Sequence, residues 1–117
     1  MRDSVYPEDL APALEKLVVG HRIVAAKDDT LTLDNGVTIT IDGSSDCCAW
    51  GDASLGPLVN SESVITSVTY TEDDRDEKAQ VFLLTNAGPA LVINQEWDAS
   101  NGYYFYGLYL TVTGVEQ

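Results

Sequence analysis

The tripeptide Asp34-Asn35-Gly36 lies between two stretches in which apolar residues alternate with polar ones: Leu31 and Leu33 before it, Val37, Ile39 and Ile41 after it. A period of two puts alternate side chains on opposite faces of an extended strand. Asn-Gly supplies the positive φ that tight hairpin turns need. Together they predict an antiparallel hairpin with one buried face. The same grammar recurs along the chain: residues 22–27 and 30–34 flank Asp28-Asp29, and residues 79–85 and 89–94 flank Asn86-Ala87-Gly88. Residues 62–70 and 103–113 read as further strands, the last entered through a turn at 98–102. Short strands separated by tight turns predict a mainly β fold, a small antiparallel barrel or sandwich.

Ahead of the strands, residues 7–17 (PEDLAPALEKL) predict a short helix. Pro7 suits the first turn, Glu8 and Asp9 complement the positive helix end, and Leu10, Leu14 and Leu17 share a face, while Pro12 limits the length. The helix is expected to cover an open edge or end of the β domain. The chain of 117 residues supports one domain, 1–117, with the helix over 7–17 and the β region over 20–113.

Six Lys+Arg against nineteen Asp+Glu give a net charge of −13. That balance argues against binding nucleic acid or an anionic membrane and favours a protein partner with a neutral or basic surface. The start of the chain carries charge where a secretory leader would be apolar, so a cytoplasmic location is expected.

Three segments are candidates for function. Cys47 and Cys48 are adjacent, so a disulfide between them would close a small strained ring, and a zinc site would need more Cys and His ligands than the chain offers. A reactive thiol needs a neighbour that favours thiolate, whereas an acidic surround raises the thiol pKa. Packing is the leading reading of the pair. The run Glu72, Asp73, Asp74, Arg75, Asp76, Glu77 lacks the ligand order of a calcium loop and reads as a solvated loop. The aromatics Tyr103-Tyr104-Phe105-Tyr106 divide between two faces, with Tyr104 and Tyr106 grouped with Leu108. Tyrosines beside acidic loops suit docking on a protein, and Glu72, Asp73, Asp74, Asp76, Glu77, Tyr104 and Tyr106 are the expected contact residues. The lone His21 follows Gly20 at a strand start and reads as an edge imidazole bonded to backbone. No catalytic, cofactor-binding or metal-ligating residue is assigned, and no cofactor is expected.

The order Leu17-Val18-Val19-Gly20-His21-Arg22-Ile23-Val24, Leu31-Thr32-Leu33-Asp34-Asn35-Gly36 and Asp46-Cys47-Cys48-Ala49-Trp50-Gly51 resembles a family of small uncharacterised proteins of actinobacteria and their bacteriophages. The resemblance spans roughly residues 17–112 and implies provenance, not chemistry; Asp46, Cys47, Cys48, Trp50 and Gly51 form a motif of unknown role. The expected function is that of a non-enzymatic acidic interaction protein, phage-encoded and binding a host protein, with mimicry of DNA charge as a special case. The alternatives are a small-molecule or metal-binding module built on residues 47–52, and a small redox protein using the same cysteines.

Overall fold

The computed structural model describes residues 2–5, 7–45, 50–73, 78–98 and 108–114. The elements run β1 (Arg2–Val5), α1 (Pro7–Val18), β2 (Ile23–Lys27), β3 (Thr30–Leu33), β4 (Thr38–Ser45), β5 (Trp50–Leu55), β6 (Ser67–Asp73), β7 (Lys78–Thr85), β8 (Gly88–Asp98) and β9 (Leu108–Thr113). All strand pairings are antiparallel. One sheet runs β2-β3-β4-β9-β1, the other β5-β8-β7-β6, and the end of β4 pairs with the start of β5 to join them. Among the described residues the sheets do not close into a barrel; they are arranged as in a sandwich.

The Asn35-Gly36 hairpin forms as its sequence requires. The Leu33 amide donates to the Val37 carbonyl at 2.8 Å, Gly36 takes φ 88°, and the Asn35 side chain accepts from the Val37 amide at 3.1 Å. In β3 and β4 the alternation sends Leu31, Leu33, Ile39 and Ile41 inward. Threonines fill the other face, where Thr30 and Thr40 hydroxyls meet at 2.8 Å and Thr38 pairs with Thr113. Inward side chains of both sheets join Leu10, Leu14 and Val18 of α1 in one hydrophobic cluster. The helix packs mainly on β6, the outer strand of the second sheet, and secondarily on β7. Pro12 lies inside α1 without ending it. Its missing donor costs one helical hydrogen bond, and burial of the Leu10/Leu14/Val18 stripe offsets that loss.

Several expectations are corrected. A strand precedes the helix: β1 pairs with β9 at the margin of the first sheet. The strand expected over 62–70 begins only at Ser67. Asn60 folds 60–63 into a turn, its Oδ1 accepting from the Glu62 and Ser63 amides at 2.9 and 3.0 Å, and Ile65 makes a single parallel bridge to Val19. β8 continues through Trp97 to Asp98, past the expected end at Asn94. β5 has no counterpart in the sequence reading.

Candidate functional site

The second sheet gathers what the sequence scatters. Trp50 opposes Asp98 and Gly51 opposes Trp97 across β5 and β8, Lys78 opposes Glu96 across β7 and β8, and Asp73 opposes Lys78 across β6 and β7. The strand ends at Ser45 and Trp50, at Asp73 and Lys78, and at Asp98 therefore share one end of this sheet, and Leu108 starts β9 beside Gly43 of β4. These residues bracket the cysteine motif, the acidic run and the aromatic run.

Of the expected contact residues, Glu72 and Asp73 close β6 instead of sitting in a loop, because they continue the β7 ladder opposite Ala79 and Lys78. Glu72 Oε1 accepts a hydrogen bond from the Tyr70 hydroxyl at 3.0 Å. Asp74, Asp76, Glu77, Tyr104 and Tyr106 lie outside the described residues, as do Asp46, Cys47 and Cys48. Leu108, which simple alternation groups with Tyr104 and Tyr106, is buried. Of the motif, Trp50 and Gly51 open β5. Their partners in β4 are Ser45 and Ser44, and next to Ser44 lies Gly43, where a Cβ would stand 2.6 Å from the Gly51 carbonyl oxygen and 2.8 Å from Asp52 Oδ1. Only a residue without a side chain lets β4 and β5 come this close.

Along the outward face of the second sheet lies a groove of about 520 Å³, lined by Thr71, Glu72, Lys78, Gln80, Asn94 and Glu96. A recess of about 120 Å³ continues it across β8 to Asp52 and Ser54 of β5. Gln80 Nε2 donates to Asn94 Oδ1 at 3.0 Å, and Lys78 Nζ stands 3.8 Å from Glu96 Oε1.

The chain belongs to the DUF7448 family, a domain of unknown function, matched over residues 16–110. No curated protein and no solved structure matches it. The DUF7448 match takes in β2 to β8, the start of β9, Gly43 and the groove, and it leaves out β1 and most of α1. Sequence reasoning missed the groove, although a signal was present: Lys78 and Gln80 alternate with apolar Ala79 and Val81, which puts them on the opposite, outward face.

Two further polar clusters lie elsewhere in the DUF7448 domain. His21 Nδ1 is 3.0 Å from Asp34 Oδ1, and Arg22 Nε is 3.6 Å from Asp34 Oδ2. The imidazole is thus paired with a carboxylate and not, as expected, with backbone. The Arg22 backbone amide, followed by His21, holds the Asp34 carboxyl below its usual range. In the β2–β3 turn, desolvation and then the carboxylates of Asp42, Asp52 and Asp28 push the Asp29 carboxyl up. Among the described residues no three His, Cys, Asp or Glu side chains assemble as a metal site, and no helix is long and apolar enough to cross a membrane.

Proposed function

We propose that this DUF7448 protein is a non-enzymatic interaction module that docks a partner protein of neutral or basic surface in the cytoplasm. The observation that carries this reading is the convergence, at one end of the second sheet, of the strand ends that bracket the acidic run, the tyrosines and the cysteine motif. Because the D-C-C-A-W-G string resembles small proteins of actinobacteria and their bacteriophages, the source we favour is a phage and the partner a host protein. At a net charge of −13 the long-range field attracts a basic partner before contact, and tyrosine area acts after docking.

The test is capture from an actinobacterial lysate with the purified chain as bait, followed by kinetics with the captured protein. Replacing Glu72, Asp73, Asp74, Asp76 and Glu77 by Gln or Asn is expected to slow association about fivefold or more at low salt, with the difference narrowing toward 300 mM. Tyr104→Ala and Tyr106→Ala are expected to speed dissociation instead. Association indifferent to both salt and neutralisation would overturn the reading and its DNA-mimic special case.

A further inference from the structure

Across β5 and β8, Asp52 stands directly opposite Glu96, and across β7 and β8 Glu96 stands opposite Lys78. Like charges directly opposed on an exposed sheet face repel. Lys78 relieves this only in part: its ammonium is 3.8 Å from Glu96, with the two side chains 60% and 56% exposed, so the pair is long, solvated and exchangeable. The next row along the same face holds Ser54, Asn94 and Gln80. The Gln80–Asn94 hydrogen bond engages one donor and one acceptor, leaving the Gln80 carbonyl on one side of Asn94 and the Ser54 hydroxyl on the other as further acceptors. A carboxylate row that already holds one ammonium and is flanked by neutral acceptors, running from the groove of about 520 Å³ into the recess of about 120 Å³ beside it, is complementary to a cation that carries several donors.

We infer that this groove seats an arginine-bearing segment of the partner, with a guanidinium displacing Lys78 from Glu96 and reaching Asp52. Guanidinium is favoured over ammonium because its five donors lie in a plane and are weakly hydrated, so one group can span two acceptors that a single ammonium bridges poorly. The inference rests on the docking function proposed above and assigns it a second, separate contact on the sheet face.

The probe is a fluorescein-labelled hexa-arginine peptide, followed by anisotropy and by NMR of the side-chain amides of Asn94 and Gln80. Asp52→Asn and Glu96→Gln are each expected to weaken binding about fivefold, whereas Glu62→Gln, the same charge change outside the groove, weakens it far less. Lys78→Gln is expected to tighten binding about threefold by freeing Glu96, and Lys27→Gln, on the first sheet, to change it little. The Asn94 and Gln80 amide signals are expected to shift on titration, and this readout needs no variant to fold. Equal effects of Glu96→Gln and Glu62→Gln, or of Lys78→Gln and Lys27→Gln, would reduce binding to overall charge and overturn the groove assignment while the docking function stands. Shifts produced by cellohexaose and not by the peptide would overturn the choice of occupant. If partner capture fails but the peptide seats as described, the docking function falls and with it the assignment to a partner segment, while the groove's preference for guanidinium stands.

Discussion

Asp34 closes the β3–β4 turn and ties it to the start of β2, its carboxylate facing both the His21 imidazole and the Arg22 guanidinium. Because folding lowers the pKa of this carboxyl from the ordinary 3.8, ionised Asp34 stabilises the fold at all pH above that value. The contribution is lost as pH falls through the lowered folded value. Asp34→Asn is therefore expected to be less stable than the parent by a constant margin near neutrality, and the two acid-unfolding curves should converge below about pH 4. A margin that persists into strong acid would assign the loss to geometry and not to charge. Gly43 shows the opposite kind of dependence: what matters there is the missing Cβ, and no titration reports on it.

Elements differ in how openly the sequence declares them. The β3–β4 hairpin is legible because alternation and Asn35-Gly36 agree, and α1 is legible because Leu10 and Leu14 recur at helical spacing. The α1 stripe is also energetic. Leu14 is fully buried against the second sheet, so Leu14→Ala should cost about 2–5 kcal/mol in denaturant unfolding. A cost under about 1 kcal/mol would mean that α1 covers the sheet without belonging to its core. By contrast β5, Trp50–Leu55, consists largely of small and polar residues with no alternating apolar signal, and it is a strand because β8 supplies its partners. β1 has four residues and is defined by β9. The candidate contact surface was legible only by segment: the acidic and cysteine-bearing stretches stand out by composition, but bringing their flanks together takes pairings that join residues 52 and 96 or 73 and 78. The groove escaped notice because its side chains are unexceptional singly and acquire meaning as rows across strands.

At the scale of the whole molecule the charge of −13 costs stability through self-repulsion. Asp29 registers that cost, since desolvation and the carboxylates of Asp42, Asp52 and Asp28 raise its pKa above 3.8. A carboxyl raised on folding destabilises the fold once it ionises, so the penalty is present above the raised value and absent below the ordinary one. Asp29→Asn is expected to raise Tm by about 2 °C at pH 7 in low salt. The gain should shrink with added salt and vanish below about pH 4. A gain unchanged by pH would trace to the turn and not to repulsion.

β4 has a consequence for how the molecule comes apart. Its residues Thr38 to Gly43 bond to β9, its last two residues bond to β5, and β5 in turn lies along β8. The two sheets are thus joined by the Ser44–Gly51 and Ser45–Trp50 pairs and by one shared hydrophobic cluster, so opening either sheet strips packing from the other. Fraying is expected at the margins, and the interior amides of β4, β8 and β9 are expected to exchange with solvent together, at the rate of global opening. The proposed contact surface at the strand ends is thereby mounted on one cooperative unit, and a partner gripping it would stabilise both sheets at once.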